Sequence, residues 1–371
     1  MALGEIRSKC EHIAGVPLDK ETADKLYRLY LTRGVQATTA IEGNTLSEEQ
    51  VQKRIDGKLE LPPSMAYQGQ EIDNVVLACN TILESVSTDK PHELTVQLIT
   101  KFNELVLTAL PLPDHVVPGA IRKTSVVVGS YKGAPAEDCE YLLGRMCSFI
   151  ASSPRQEIEL DATSQAVLLA IWAHLYLAWI HPFGDGNGRT ARLVEFMLLL
   201  DGGVPAPAAH VLSNHYNQTR QRYYQELDKA SRSGGDIVSF FSYALSGFVD
   251  GLVGQLRDIQ GFQHRVIWRD YARETLQSKS TKESAQVRAR RLELVIALAD
   301  METVPVSNLS LLTPTIARAY ATKTPKTLSR DINALKDLGL IEHVGSGVRA
   351  RVEIIRAFLP PKRPTEKKSD K

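Results

Sequence analysis

His181-Pro182-Phe183-Gly184-Asp185-Gly186-Asn187-Gly188-Arg189-Thr190-Ala191-Arg192 separates two strongly apolar stretches. The upstream stretch, Ala166 to Ile180, is apolar but for His174 and the hydroxyl of Tyr176. It is about five residues short of the roughly 20 needed to cross a membrane, so it reads as a helix buried in a core. The downstream stretch, Gly188 to Leu200, is leucine-rich and also helical. Two buried helices joined by a tight polar turn set the expected fold class, which is mainly α.

The turn carries the chemistry. Gly184, Gly186 and Gly188 free the backbone to bend sharply and to approach a ligand. They lead into a helix N-terminus, where unpaired N–H groups and the positive dipole end favour an anion. The spacing differs from the dinucleotide fingerprint, a helix precedes the turn in place of a strand, and no Gly-x-x-x-x-Gly-Lys-Ser/Thr loop occurs. Arg189 and Arg192 share a face of the first helical turn, where each cation opposes the dipole by roughly 0.3–1 kcal/mol. A polyphosphate explains such a pair better than a surface contact of Arg192 with Glu195. Asp185 would repel phosphate unless a cation lay between them, and Mg²⁺ suits that place. His181, held by Pro182, is placed to accept a proton near neutral pH. Phe183 reads as a hydrophobic anchor for the loop, and His174 as a satisfied core histidine.

Further out, residues 21 to 41 set Ala23, Leu26, Leu29, Tyr30 and Val35 near one helical face and stop at Gly43-Asn44. Pro62 and Pro63 precede a second helix over 65 to 86, and a third is expected from Glu93 to Leu110. Val126, Val127 and Val128, between a Pro-Gly turn and Gly129-Ser-Tyr-Lys-Gly133, predict a short hairpin. Helices resume near Glu137, and Asp161 is the expected N-cap of the buried helix.

His-Pro-Phe-x-Asp-Gly-Asn-Gly-Arg-x-x-Arg is the signature of the Fic family, and residues 181 to 192 match every fixed position. The resemblance implies an all-helical Fic core with a β-hairpin flap. It implies transfer of AMP from ATP to a Tyr, Thr or Ser hydroxyl of a protein, with release of pyrophosphate. His181 would be the base and Asp185 the Mg²⁺ ligand. Gly186, Asn187 and Gly188 would form the anion hole, while Arg189 and Arg192 would hold the β and γ phosphates. Pro118 to Lys132 is similar to the flap that aligns a target segment by strand addition, with Val127, Val128 and Gly129 at its tip. Tyr223, Tyr224 and Ser231, the last standing where the family often has asparagine, resemble the nucleoside pocket.

Thr38-Thr-Ala-Ile-Glu42-Gly43-Asn44 is similar to the family's inhibitory pattern. A glutamate at a helix C-terminus is disfavoured by the dipole unless a cation lies nearby, and Arg192 is the expected cation. The implied enzyme is therefore autoinhibited, with auto-AMPylation or the reverse removal of AMP as further activities. Transfer of UMP or phosphocholine stays open beside transfer of AMP.

From Gln286 the pattern resembles a winged helix-turn-helix. Lys326, Ser329 and Arg330 would face DNA from the second helix, and Arg349 and Arg351 from the wing. A protein-binding role for this module weighs equally. The contrasting reading of the whole chain is a DNA-binding transcriptional regulator whose Fic core senses nucleotide, and the intact His181 favours the enzyme. The expected organisation is 1–114, a helical region with the inhibitory helix; 115–255, the Fic catalytic domain; 256–285, a connecting helix; 286–358, the winged helix; and 359–371, a disordered basic tail.

Composition supports this division. Of 371 residues, 43% are apolar and 23% charged, the balance of an ordinary soluble globular protein and not of a disordered or collagen-like one. The net charge of +1 argues against a wholly nucleic-acid-neutralising protein. It nevertheless sums an acidic part, 28 Lys and Arg against 34 acids over 1–285, and a basic part, 16 against 9 over 286–371. Cys10, Cys79, Cys139 and Cys147 are far apart, which fits reduced structural thiols. Charges at the amino terminus stand where a signal peptide would be apolar, so a cytoplasmic location without a membrane partner is expected. A homodimer is left open.

Overall fold

The computed structural model describes residues 1–86, 93–128, 131–152, 160–279 and 283–356. They divide into two compact units, Met1–Arg257 and Asp258–Lys371. The expected tail and the flap residue Gly129 lie outside the described residues.

The first unit is helical. Its chain runs through α1 (Ala2–Gly15), α2 (Lys20–Ile41), α3 (Glu48–Ile55), α4 (Ala66–Val86) and α5 (Val96–Leu107). The flap follows as β1 (Val127–Val128) and β2 (Tyr131–Lys132), antiparallel with Val127 opposite Lys132 and Val128 opposite Tyr131. Then come α6 (Cys139–Ala151), α7 (Ala162–Ile180), α8 (Asn187–Asp201), α9 (Ala206–Ala209), α10 (Val211–Gln218) and α11 (Arg220–Arg232). The long α12 (Val238–Lys279) crosses from the first unit into the second.

Local chemistry explains the helix ends. Asp161 accepts hydrogen bonds from Ser164 N at 2.9 Å and Ser164 Oγ at 2.7 Å, which caps α7 as its sequence predicts. The helix expected over 93–110 is shorter. Thr95 caps it at Leu98 N, and Ala109, in the left-handed region at φ 55°, turns the chain after Leu107. The connector expected over 256–285 is no separate helix, because α12 already starts at Val238 and neither proline nor a cap interrupts it.

The apolar helix α7 packs most extensively against α8, and α8 also meets α2, α4, α5 and α9. Nearly every residue of α8 is buried. At 19 residues α7 is long and apolar enough to span a membrane, longer than its apolar run implied, yet more than half of its apolar window is buried in the protein. Helix α8 is therefore the axis of the first unit, and its N-terminus is where α2, α4 and α5 deliver side chains. The four cysteines are free and buried, and burial pushes the thiols of Cys10 and Cys79 up to about 12.

The second unit contains α13 (Ala285–Ala297), β3 (Val304–Pro305), α14 (Pro314–Tyr320), α15 (Pro325–Asp337), β4 (Ile341–Val344) and β5 (Gly347–Ala350). Its strands form an antiparallel sheet in the order β3-β5-β4. Leu294, Leu298, Leu309, Leu335 and Val348, all at 0% exposure, belong to a core of its own. Asp331 on α15 accepts from Arg290 and Arg291 of α13, each at 2.8 Å, and from Tyr320 of α14 at 2.8 Å. One buried carboxylate thus ties the three helices together.

Candidate active site

The turn from His181 to Gly188 is braced from three sides. His181 ends α7 in the left-handed conformation, φ 50°, and Gly186 takes φ 75° as the N-cap of α8. A Cβ on Gly186 would lie 2.9 Å from Asn103 Nδ2. Asn103, on α5, donates to Asp185 O at 2.9 Å and accepts from Gly119 N at 3.0 Å. Asn187 bonds Phe183 in both directions, accepting from its N–H at 2.9 Å and donating to its carbonyl at 2.8 Å. Its side chain is a clamp for the loop, so its backbone N–H is the group it can offer an anion. Phe183 is buried and bridges to Ile121. Arg122 Nε donates to His181 O at 2.7 Å, and its terminal nitrogens to the carbonyls of Thr124, Ala134 and Ile180. The flap stem is fastened to the turn by this one buried guanidinium.

Both arginines of the turn are buried and both are engaged by carboxylates. Arg192 Nη2 donates to Glu42 Oε1 at 2.5 Å and to Thr38 O at 2.9 Å. Arg189 reaches Glu71 Oε1 at 2.9 Å through Nη1 and Asp185 Oδ1 at 3.3 Å through Nη2. Nε of Arg189, and Nε and Nη1 of Arg192, are buried without a partner among the described residues. Such donors await an acceptor. No surface pair of Arg192 with Glu195 forms; Glu195 is buried and accepts from Tyr216 Oη at 2.9 Å.

Glu42 lies against the helix N-terminus itself. A Cβ on Gly188 would fall 2.0 Å from Glu42 Oε1, so only glycine leaves room for the carboxylate. Burial opposes its ionisation, but the charge and hydrogen bond of Arg192 outweigh this, helped by Arg189 and His181, and hold the carboxyl below its ordinary range. A protein anion thus occupies the place where the turn and helix end favour an anion.

A cavity of ≈ 440 Å³ opens beside it, lined by Glu42, Tyr131, Trp179, His181, Gly188, Tyr223, Tyr224 and Ser231 among others. The three residues expected at a nucleoside pocket therefore come together with His181. Tyr223 is buried and its hydroxyl meets His174 Nε2 at 2.9 Å, while Glu195 Oε2 lies 3.6 Å from His174 Nδ1. His174 is more than a satisfied core residue, since it orients a wall of the cavity. Tyr131 Oη donates to Trp179 O at 2.5 Å and seats the flap on α7. Val127 is exposed at the flap edge.

Burial lowers the His181 imidazole from its ordinary value, and Arg122 adds to this, while Glu42, Asp185 and a backbone hydrogen bond act in the opposite sense. At neutral pH the ring is uncharged and able to take a proton. Asp185 is half exposed, and its Oδ2 has no protein partner among the described residues. No group of three or more His, Cys, Asp or Glu that could hold a metal occurs among the described residues. A lone carboxylate with a free oxygen fits Mg²⁺, which fills its shell with substrate phosphates and water.

The sequence profile of the Fic/DOC family matches residues 93–199, the span that holds α5, the flap, α7 and the turn. Residues 93–199 are thus similar to a Fic domain. It is similar to protein adenylyltransferase fic-1 of Caenorhabditis briggsae, 28% identical over 240 residues, which is 64% of this chain and 43% of that one. It is also similar to protein adenylyltransferase Fic of Culex quinquefasciatus, 29% identical over 56% of this chain and 38% of that one. The chain thus spans less than half the length of these curated relatives. Among solved structures, a Fic family protein from Desulfovibrio desulfuricans shares the fold with a TM-score of 0.55, 20% identity and coverage of 94% and 95% of the two chains. Fic-1 of Caenorhabditis elegans shares it with a TM-score of 0.57 and 24% identity over 70% of this chain and 72% of that one. Glu42 and Glu71 lie outside the matched Fic domain, on helices that precede it.

The residues expected to meet DNA differ in state. Lys326, Ser329 and Arg330 are exposed on α15. In the β4–β5 hairpin and just after it, Arg349 is paired with Glu342, and Arg351 lies 3.9 Å from Glu342 and 3.7 Å from Glu353. Both arginines thus lie beside carboxylates, whereas Lys326 and Arg330 are exposed.

The site makes a prediction that needs no substrate. Followed by NMR, His181 titrates with a midpoint below 6.5, and a midpoint at or above 6.5 contradicts the described burial.

Proposed function

We propose that this chain is an autoinhibited protein adenylyltransferase, which transfers AMP from ATP to a hydroxyl of a protein and releases pyrophosphate. The observation that carries this reading is the buried pair of arginines at a glycine-turned helix N-terminus, with a carboxylate seated between that N-terminus and Arg192. The curated names of the relatives point to the same activity.

In this reading the aromatic cavity takes the nucleoside, and the orphaned guanidinium nitrogens with the backbone N–H groups of the turn take the phosphates. The uncharged His181 accepts the proton of the target hydroxyl as its oxygen attacks the α phosphorus. The bond to the β phosphate breaks, and pyrophosphate leaves with its electron pair. Asp185 would hold Mg²⁺, which would neutralise charge on the phosphates. Val127 and the flap edge would pair with the target backbone. Glu42 takes Arg192 away from the γ phosphate, which is the brake.

Glu42→Gly is expected to raise auto-AMPylation by about tenfold or more, the scale of one lost charge-assisted hydrogen bond. His181→Ala is expected to abolish it. Intact-mass spectrometry after incubation with each nucleoside triphosphate reads the added group, and an unchanged mass in the Glu42 variant overturns the reading. The same spectra distinguish AMP from UMP, and loss of AMP from a modified protein with the wild-type chain would reveal the reverse reaction.

For the second unit we propose a winged helix-turn-helix that binds DNA through α15 more than through its hairpin. The exposed Lys326 and Arg330, with Arg349 and Arg351 beside carboxylates, support this emphasis. Gel shift over a salt series is expected to show binding lost on Lys326→Glu with Arg330→Glu and little changed by Arg349→Ala. Absence of salt-dependent binding would favour a protein partner.

A further inference from the structure

Glu71 stands on α4, outside the sequence motif and outside the matched family span, yet it touches the phosphate-binding machinery. Its Oε1 accepts from Arg189 Nη1 at 2.9 Å, and its Oε2 accepts from Asn44 Nδ2 at 2.9 Å. Asn44 is two residues beyond Glu42, and it is itself fixed, donating to Gln68 O at 3.0 Å and accepting from Leu46 N at 3.0 Å. The side chains of Arg189 and Glu71 are 4% and 13% exposed, so the pair is shielded from water. Burial, with the like charges of Asp185 and Glu42 adding to it, pushes the Glu71 carboxyl up, against the pull of Arg189 and the hydrogen bond of Asn44. A carboxylate kept among like charges needs its one cation.

We infer that Glu71 is a positioning residue for Arg189: it pins Nη1, while Nη2 reaches Asp185, so that Nε is the donor turned to the polyphosphate, and Asn44 ties this prop to the loop that carries Glu42. The inference rests on the proposed reading of the turn as a nucleoside triphosphate site. The two N-terminal carboxylates then have opposite effects on the same ligand. Glu42 binds Arg192 in competition with phosphate, whereas Glu71 grips Arg189 by Nη1 and leaves its Nε open. Nε of Arg189, buried and without a partner among the described residues, is the donor that this arrangement presents.

The test uses the full chain bearing Glu42→Gly and His181→Ala, which removes both the brake and turnover, with ATP and AMP titrated separately by calorimetry. Adding Glu71→Ala is expected to weaken ATP about tenfold while leaving AMP unchanged, because only the outer phosphates meet Arg189. Glu71→Gln, which keeps the acceptor oxygen, is expected to recover part of the loss, and Asn44→Ala to cause a smaller one. A general structural defect would weaken both nucleotides equally, and that result overturns the inference, as does unchanged ATP affinity. Tighter ATP binding on Glu71→Ala also overturns it, making Glu71 a second brake. Failure of the parent double variant to bind ATP at all sinks the nucleotide-site reading and this inference with it.

Discussion

A guanidinium buried at the N-terminus of a helix cannot stand without an anion, and Arg192 is 2% exposed at such a place. Its own charge and the helix dipole add, and burial removes the water that would otherwise screen them. Two anions can answer that demand: a carboxylate of the protein or a phosphate of a substrate. In the resting structure it is Glu42, 2.5 Å away at the end of α2. The proposed brake would thus be a consequence of how the site is built, since whatever makes the place good for phosphate makes it good for Glu42.

The rest of the first unit serves to hold that place. The apolar α7 and the buried α8 fix the direction of the helix end, Asn103 and Asn187 fix the turn, and Arg122 fastens the flap stem to it. Behind the cavity His174 holds the hydroxyl of Tyr223 and so sets an aromatic wall. Groups from α2, α4 and α5 converge on the start of α8, so an element remote in sequence can act on that helix end. Glu42 and Glu71 are two such groups.

The parts legible in the sequence were contiguous ones. Residues 181 to 192 hold their own turn, arginines and aspartate, and the glutamate of the amino-terminal motif implied a cation that Arg192 supplied. Partners far apart along the chain left no such trace. Glu71 and Arg189 are separated by 118 positions, and Asn103 and Asp185 by 82. Nothing in spacing marks an asparagine or a glutamate on a helix as the brace of a distant loop. Arg349 and Arg351 illustrate the converse: positive residues at a hairpin suggest an open basic surface, but Glu342 and Glu353 lie beside them. In the same way α12 concealed its length, because Gly251, Gly254 and Gly261 lie inside it without breaking it.

The central claim is that Glu42 and a phosphate chain compete for one seat. Calorimetric titration of tripolyphosphate, which lacks any nucleoside, into the wild-type chain and into Glu42→Gln isolates that seat from the aromatic cavity. The account predicts binding about tenfold tighter in Glu42→Gln, where the carboxylate charge is gone. Equal or weaker binding by the variant would contradict it.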